Sequence, residues 1–357
     1  MTTKINVFIT GATGYLGGSV LQRLLAHPER TSFSITALVR NVEKAKLLEE
    51  FCVKTTIGSY SDLDKLEAAA STADVFFAIA NCDDLPAAKA ILQGLKKRHA
   101  ETGKQPILIH TSGSAIIIDN AQGKYASDNA YSDMDIPRIE ALDPAQPHRN
   151  VDIAIVEASK EGYARTHIVV PPTIFGRASG PLFEKGICNP GSIQIPSLIQ
   201  VAWHRKASGL MGEGKNLWSL VSVDDVADLY IVLFDAARKD EKTAHGREGF
   251  YFAENGYYQF YEAAKAISDA LVQLGRTDKA EPTPWTQEQL GKYFAGAPIF
   301  GTNSLCKADR ARALGWKPTK TKKDFLDSIK PEAEALIKEG RIDDAFWFKT
   351  VFLGVPN

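Results

Sequence analysis

The sequence lacks clustered cysteines, long apolar runs and blocks of charge of one sign. Its four cysteines, Cys52, Cys82, Cys188 and Cys306, form no Cys-x-x-Cys pair. Zinc sites and disulfide frameworks need clustered ligands, so we expect reduced thiols and no bound metal. No stretch of about 18 apolar residues occurs, which predicts no membrane-spanning helix. A net charge of −1 argues against nucleic acid or a membrane surface as the main partner.

The beginning of the chain also lacks the basic region, apolar stretch and small-residue cleavage site of a secretory signal. Instead, the apolar residues 5–9 lead directly into a glycine-rich turn. Together with the unclustered cysteines, this predicts a cytoplasmic protein. The chain does have 357 residues and a hydrophobic content of 44%, which are enough for one large α/β domain or a domain with a smaller partner.

Short apolar runs alternate with helical patterns over the first half of the chain. The runs are continuous, as expected for parallel strands covered on both faces, and comprise residues 5–10, 34–39, 53–57, 75–80, 107–111 and 167–170. The helical patterns between them comprise residues 15–27, 42–51, 63–70, 87–101 and 150–161. This alternation predicts an α/β fold with a doubly wound parallel sheet.

The second half of the chain has a different character, with many glycines and prolines at residues 171–217. Further helices are predicted at residues 192–203, 224–237 and 258–274, with a strand at 249–252. We therefore expect one domain over residues 1–175 and a smaller α/β lobe over 176–357, with segments around 218–250 returning to the main sheet. Residues 119–148 show no period, which predicts a long loop of the kind that often carries function.

Three glycines, Gly11, Gly14 and Gly17, follow the first predicted strand and open a helix at the spacing G-x-x-G-x-x-G. A strand-to-helix turn this tight needs a positive φ, which glycine adopts without a steric clash. The free N–H groups and the positive end of the following helix attract phosphates. The turn therefore predicts a dinucleotide-binding Rossmann domain.

The end of the second predicted strand distinguishes NAD from NADP. An NAD site has an acidic residue there for the ribose 2′-hydroxyl, whereas a 2′-phosphate needs a cation. Here the strand runs into Arg40, and no acidic residue follows until Glu43. Arg40 can make charge-assisted, bidentate contacts to a phosphate, so NADP(H) is the expected cofactor. The alternative is that Arg40 is an ordinary surface residue.

Four further motifs occur in order: His110-Thr111-Ser112-Gly113, residues 171–176, residues 223–227 and residues 313–318. With the glycine turn they resemble the extended and atypical short-chain dehydrogenase/reductase superfamily, which is epimerase/dehydratase-like. The resemblance implies a smaller substrate-binding lobe and a catalytic Ser or Thr at the end of the fifth strand. The cofactor contacts that we expect come from Gly11, Thr13, Gly14, Tyr15, Leu16, Gly17, Arg40, Gly58, Ala80, Asn81, Thr111, Pro171, Thr173 and Ile174.

The superfamily's Tyr-x-x-x-Lys pair, which lies on the helix before the sixth strand, is missing. Residues 157–162 resemble the usual end of that helix, and counting back places the Tyr position at Pro144 and the Lys position at His148. A second alignment uses Val156 and Lys160, but Lys160 is then only eleven residues from Pro171, too near for the helix between them. Neither alignment contains the tyrosine.

Three side chains are candidates for catalysis without that tyrosine. The resemblance implies that Ser112 hydrogen-bonds a substrate carbonyl. His148 would replace the lysine by donating to the ribose hydroxyls, and an imidazole with its ordinary pKa of about 6.5 also exchanges protons. Tyr131, or the nearby Tyr125, would bring a phenol from the preceding loop. The structural alternatives are a strand-end hydroxyl, a helix-start histidine and packed loop aromatics.

The candidate substrate contacts are Ser114, Phe183, Gln194, Trp203 and Trp218. Aromatic side chains in a lobe rich in glycine and proline suit a small apolar or aromatic substrate, although they equally suit the core of that lobe. The region has no cluster of Arg and Lys of the kind that a nucleotide-sugar diphosphate needs.

These observations favour an NADPH-dependent oxidoreductase acting on a small carbonyl or conjugated double bond. The missing pair leaves two alternatives, a non-catalytic NADP(H)-sensing regulator and an epimerase or dehydratase that retains its NADP. The expected partner is a small-molecule substrate rather than nucleic acid or a membrane. The resemblance also implies a homodimer, although no strong heptad supports one.

Overall fold

The central sheet consists of seven parallel strands. The computed structural model describes residues 4–240 and 242–352, and its elements are numbered in chain order. The strands are β1 (Ile5–Thr10), β2 (Phe33–Val39), β3 (Lys54–Ile57), β4 (Val75–Ala78), β5 (Ile107–Thr111), β7 (Arg165–Val170) and β11 (Phe250–Phe252). Their spatial order is β11-β7-β5-β4-β1-β2-β3. The predicted doubly wound parallel sheet is confirmed.

Helices from the crossovers flank this sheet. They are α1 (Tyr15–Leu25), α2 (Val42–Glu49), α3 (Leu63–Thr72), α4 (Leu85–Thr102), α6 (Arg149–Lys160) and α9 (Val223–Lys239). Helix α1 packs against α9, whereas α4 packs between α3 and α6. The apolar stripe of α1 is inaccessible to solvent at Val20, Leu21 and Leu24, and burial of each stabilises the fold by about 1.5–3 kcal/mol. No helix in the described residues is long and apolar enough to cross a membrane.

The smaller α/β lobe expected from the sequence is present and has its own apolar core. Its sheet has the order β12-β10-β8, formed by β8 (Thr173–Phe175), β10 (Leu217–Ser222) and β12 (Tyr257–Gln259). The remaining helices beyond β8 are α7 (Pro181–Glu184), α8 (Gln194–Arg205), α10 (Phe260–Gln273), α11 (Gln287–Phe294), α12 (Asp309–Ala313) and α13 (Lys322–Lys338). Phe260, Phe294 and Phe325 are buried at the centre of this second core.

Short strand pairs connect distant parts of the chain, and α9 and β11 return from the second half of the chain to the central sheet. β6 (Tyr131–Ser132) pairs with β14 (Cys306–Lys307), and β9 (Gly209–Leu210) pairs with β13 (Thr283–Pro284). Tyr230 and Phe234 of α9 and Phe250 of β11 belong to the core of the central sheet. These residues lie in the segment that was expected to return to the main sheet, and the domain boundary at residue 175 stays a prediction.

Two segments differ from their predicted form. The helix expected over residues 258–274 begins at Phe260, because residues 257–259 pair with β10 as strand β12. The loop expected over residues 119–148 contains β6 and the short helix α5 (Ile136–Glu140). The carboxylate of Asp135 begins α5 by accepting a hydrogen bond from the N–H of Arg138. A helix of five residues is too short to produce a helical period in the sequence.

Candidate active site

The glycine-rich turn between β1 and α1 has the geometry of a phosphate-binding loop. Gly11 has a φ of +74°, and a Cβ atom there would lie 2.9 Å from the backbone of Ile79. A Cβ atom on Gly17 would lie 2.2 Å from the carbonyl oxygen of Gly11. Only glycine fits at these two positions, because the backbone approaches itself too closely for a side chain. The first N–H groups of α1 lack intrahelical acceptors by geometry and are suited to an anion.

Contacts with the segment that follows β8 hold the glycine-rich turn in place. The hydroxyl of Tyr15 donates to the carbonyl oxygen of Gly176 at 2.6 Å, and burial keeps the pKa of this phenol well above its usual value. The carbonyl of Thr13 accepts a hydrogen bond from the N–H of Asn189 at 3.1 Å, and Leu16 packs against the main core. Tyr15 and Thr13 thus anchor the turn to the segment that follows β8.

Arg40 lies directly after β2 and is exposed. Within residues 4–240 and 242–352, no hydrogen bond, ion pair or ring contact of its guanidinium group is found. The next residue, Asn41, is engaged, because its side-chain oxygen accepts a hydrogen bond from the N–H of Lys44 and caps α2. Arg40 therefore keeps its full set of donors for a ligand at the carboxyl edge of the sheet.

The other predicted cofactor residues lie at or after the ends of strands. They are Gly58 after β3, Ala80 and Asn81 after β4, Thr111 at the end of β5, Pro171 after β7, and Thr173 and Ile174 in β8. Because parallel strands end at one edge, the first five lie at the same edge of the sheet as the glycine turn, and their contact with a cofactor stays a prediction. Two of the hydroxyls already have partners, since Thr111 lies 2.6 Å from the Tyr230 hydroxyl and Thr173 lies 3.2 Å from Oε1 of Gln194.

Ser112 lies immediately beyond β5 and is hydrogen-bonded to a buried carboxyl group. Its N–H donates to the carbonyl of Val169 at 2.8 Å, which continues the pairing with β7 and orients the serine. Its hydroxyl lies 2.9 Å from Oδ2 of Asp152 on α6. Asp152 is fully buried, and its Oδ1 has no hydrogen-bond partner among the residues described. Burial raises the pKa of Asp152 to about 7, although the Ser112 hydrogen bond opposes the change.

His148 immediately precedes α6, and its carbonyl accepts a hydrogen bond from the N–H of Asp152 at 3.2 Å. Its φ of +65° is unusual for a residue other than glycine. Nδ1 lies 2.6 Å from Oδ1 of Asp83 and 3.3 Å from Sγ of Cys82. Burial alone would lower the pKa of His148, but the hydrogen bonds to Asp83 and Cys82 outweigh it and raise the pKa to about 10. These hydrogen bonds therefore favour the protonated form of the His148 imidazole, and its role in place of lysine stays a prediction.

The second ring nitrogen of His148 faces the loop after β5. A Cβ atom on Gly113 would lie 3.0 Å from Nε2, so glycine allows the imidazole to approach this backbone. Cys82, Asp83 and His148 also bring three atoms of metal-ligating types within 4.8 Å of one another. Because both neighbours already contact Nδ1 at hydrogen-bond distance, we interpret the group as a hydrogen-bonded cluster. The expectation of no bound metal stays a prediction.

The contact between His148 and Asp83 predicts a pH-dependent contribution to stability. The pKa of His148 is about 10 in the folded protein and about 6.5 in an unfolded chain. The stabilisation is therefore complete below about pH 6.5 and is lost as the pH rises through 10. His148→Gln should lower the free energy of unfolding by about 1 kcal/mol near pH 6, since half-exposed Asp83 is partly screened.

Urea denaturation at several pH values measures this effect. The difference between His148→Gln and wild type should shrink towards about pH 10, where the imidazole of the wild type loses its proton. Asp83→Asn should follow the same trend, because it removes the same contact. A difference that stays constant over this pH range would contradict the ion pair.

The candidate tyrosines are placed away from these contacts. The backbone of Tyr131 pairs with Cys306, and the guanidinium of Arg138 lies 3.5 Å from the centre of the Tyr131 ring. Tyr125 is exposed. No contact in the described part of the chain joins either phenol to Ser112 or to the imidazole. The catalytic role of Tyr131 stays a prediction, without support from this geometry.

Two polar residues predicted to contact substrate are bound within the fold. The hydroxyl of Ser304 donates to the hydroxyl of Ser114 at 2.8 Å. The side-chain amide of Gln194 donates to the hydroxyl of Tyr258 at 3.2 Å. The first bond connects the segment after β5 to the chain near β14, whereas the second lies within the smaller lobe. Their contact with substrate stays a prediction.

The three aromatic residues predicted to contact substrate have different surroundings. The indole N–H of Trp218 donates to a backbone carbonyl at 2.7 Å, and the ring is buried in the second core. The guanidinium of Arg276 stacks on Trp203 at 4.7 Å from the ring centre. Phe183 lies beside α1, where a Cβ atom on Gly18 would be 3.3 Å from its ring. Of these rings, Phe183 is the one placed beside the phosphate-binding turn.

The sequence analysis did not single out Asp152 or Arg149, which the structure buries in the same region. In the described part of the chain, Nε and Nη1 of Arg149 have no hydrogen-bond partner. Spacing was the available signal, because Asp152 is three residues before Ile155 and so lies on the same face of the predicted helix. A charged residue on a face that also carries Val151 and Ile155 indicates a buried polar contact.

Comparison with known proteins agrees with this architecture. Residues 2–100 match the NmrA-like family. The chain is 30% identical over 356 residues to the oxidase ucsJ of an Acremonium species, covering 94% of this chain and 99% of that relative. This match extends over both lobes, so the similarity is not confined to the glycine turn.

Solved structures show the same fold at lower sequence identity. The PbgP3 protein from Burkholderia pseudomallei has a TM-score of 0.66 and 16% identity, covering 95% of this chain and 99% of that one. The UDP-glucuronic acid 4-epimerase from Bacillus cereus, solved with UDP-glucuronic acid and NAD, has a TM-score of 0.63 and 14% identity, covering 93% and 100%. The chain therefore belongs to the NmrA-like family, and it shares the Rossmann-type fold of these solved structures.

Proposed function

We propose that the protein is an NADPH-dependent oxidoreductase that reduces a small apolar or aromatic carbonyl or a conjugated double bond. The observation that carries this proposal is the Ser112–Asp152 pair, which lies one helical turn from cationic His148 at the carboxyl edge of the sheet. A protein that only binds a dinucleotide has no need to bury a carboxyl group with a raised pKa beside that edge, because such burial costs stability. The relative named as an oxidase supports redox chemistry.

The residues fit a nicotinamide dinucleotide. The glycine turn leaves no room for side chains where phosphates would approach. The unpaired guanidinium of Arg40 would bind the 2′-phosphate, which supports NADP(H) rather than NAD. Nε2 of His148 would donate to the nicotinamide ribose, as lysine does elsewhere in the superfamily. When bound, the cofactor supplies the hydride.

The protein's own groups would orient the substrate and stabilise developing charge. The Ser112 hydroxyl would donate to the carbonyl oxygen of the substrate, and the positive charge of His148 would favour electron density there. Arg177, just beyond β8, is already paired with Glu332 at 3.0 Å. This pairing leaves less positive charge for a diphosphate and supports an uncharged substrate over a nucleotide sugar.

The test is NADPH oxidation by purified protein across a panel of carbonyl and enone compounds. With an active substrate, Ser112→Ala should lower kcat about 100-fold, because a proton donor of the transition state is removed. NADPH affinity should change less than about twofold, since the cofactor residues are untouched. Ser71→Ala is the matched control, because this exposed hydroxyl bonds only to the carbonyl of Ala68 within α3.

The alternatives predict different outcomes. NADPH binding without oxidation of any acceptor would overturn the oxidoreductase proposal and favour a sensor, especially if a partner protein is captured only with the cofactor present. Transient reduction of bound NADP⁺ during turnover, with no net consumption, would indicate an epimerase or dehydratase.

A further inference from the structure

We propose that Asp152 supplies the proton that Ser112 passes to the substrate, so that the two side chains form a proton relay in place of the missing tyrosine. This inference rests on the proposed oxidoreductase function and deepens it. Ser112 Oγ and Asp152 Oδ2 are 2.9 Å apart, and the two residues are only 3% and 0% exposed. Ser112 is the catalytic residue, and Asp152 acts through it.

The surroundings of Asp152 favour its protonated form. An ionised carboxylate offers about four acceptor sites, but among the described residues only Oδ2 is engaged and Oδ1 is an orphan. A buried carboxylate with so few hydrogen bonds raises the free energy of the folded protein. A protonated carboxyl needs fewer partners and can itself donate a hydrogen bond to Ser112. Burial accordingly raises the pKa of Asp152 to about 7, so its proton is both present and transferable near neutral pH.

Few other charged groups act on Asp152. His148 and Arg149, from the start of α6, lower its pKa, and Asp83 after β4 raises it. Charged groups elsewhere around α6 have other partners: Lys96 with Glu161, Arg247 with Glu140, and Arg165 with the carbonyl of Ala237. Burial lowers the pKa of the neighbouring-strand histidines His110 and His167 to about 3, so both are neutral. Burial also lowers the pKa of His245, whose Nδ1 lies 2.8 Å from the Ser159 hydroxyl on α6. Among these groups, Asp152 is the one whose pKa is raised to about 7.

Atoms and electrons balance when this relay takes part in the reduction of a carbonyl group. The carbonyl carbon receives the hydride, and the π electron pair moves to the oxygen. That oxygen takes the proton of Ser112 Oγ, whose O–H bond breaks with its electron pair retained on Oγ. Oγ then takes the proton of Asp152 Oδ2, leaving a carboxylate, and a proton from solvent returns to that carboxylate through Ser112 before the next turnover. The substrate ends as an alcohol and the nicotinamide is oxidised, so no further reactant is needed.

The first test uses the cofactor-free protein and no activity. Carbon-13 NMR of labelled aspartate follows the titration of the Asp152 carboxyl, and Asp152→Asn identifies its signal. The expected midpoint lies near pH 7, and in Ser112→Ala it should move higher because the serine hydrogen bond lowers this pKa. A midpoint near the ordinary value of about 4 in both proteins would overturn the relay.

The second test measures reduction of the substrate found in the panel. Asp152→Asn should lower kcat about 100-fold, leave NADPH affinity within about twofold, and remove the ionisation near pH 7 from the rate profile. Asp152→Glu should restore part of the rate and an ionisation. Glu157→Gln, an exposed carboxylate on the same helix, is the matched control and should leave all three quantities unchanged.

The outcomes separate the two proposals. An active wild type whose Asp152→Asn variant keeps its pH profile would overturn the relay alone. A wild type that reduces no acceptor would overturn the oxidoreductase proposal, and the catalytic relay with it, even if the carboxyl titrates near pH 7. If Asp152→Asn does not fold, the signal that disappears in Asp152→Glu identifies the carboxyl, and the shift of its titration in Ser112→Ala decides the question.

Discussion

Gly17→Ala is expected to abolish measurable NADPH binding. The new methyl group would lie 2.2 Å from the oxygen and 2.6 Å from the carbon of the Gly11 carbonyl, far inside van der Waals contact. Both obstacles are backbone atoms, so the turn itself must shift, and the N–H groups at the start of α1 would move with it. We expect at least a 100-fold loss of affinity in a fluorescence titration with NADPH, and about 1–3 kcal/mol lower stability from overpacking.

Gly291→Ala is the matched control for this substitution. Gly291 lies inside helix α11, and a Cβ atom there would meet nothing within 4 Å. Alanine should therefore stabilise the protein by about 0.5–1 kcal/mol through its helix propensity, with NADPH affinity unchanged. Near-wild-type NADPH binding by Gly17→Ala would show that the turn does not hold the phosphates.

Arg40→Glu is expected to reverse the cofactor preference. Arg40 has no partner in the part of the chain that the structure describes, so its loss breaks no contact of the fold. A 2′-phosphate would lose a charge-assisted, bidentate contact and face a carboxylate instead. The ratio of NADPH to NADH affinity should fall about 1000-fold, equivalent to about 4 kcal/mol, while NADH affinity changes less than about threefold.

Lys104→Glu is the control for the change in charge. Lys104 is exposed and precedes β5, so it lies at the amino edge of the sheet, opposite to Arg40. Reversing its charge should change neither affinity, because solution screening removes its effect over that distance at physiological ionic strength. Equal loss of NADPH and NADH binding in Arg40→Glu would contradict assignment of Arg40 to the 2′-phosphate.

The strands of the central sheet and the glycine turn were predictable because their signals are local. Residues 5–10 and 107–111 are continuous apolar runs and form β1 and β5 with the predicted bounds. The spacing of Gly11, Gly14 and Gly17 reflects a backbone that closes on itself within seven residues. Each of these features depends on neighbours in sequence, so the sequence alone determined the sheet, its topology class and the turn.

Only the tertiary structure shows which polar side chains meet at the carboxyl edge of the sheet. Ser112 meets Asp152 across 40 residues of sequence, and Asp83 meets His148 across 65. The charge states of these groups depend on how much solvent the folded chain excludes and which partner arrives, and neither quantity has a local pattern. The sequence therefore determined a dinucleotide-binding fold, whereas packing of distant segments decided that a buried carboxyl and an imidazole paired with Asp83 stand near the serine.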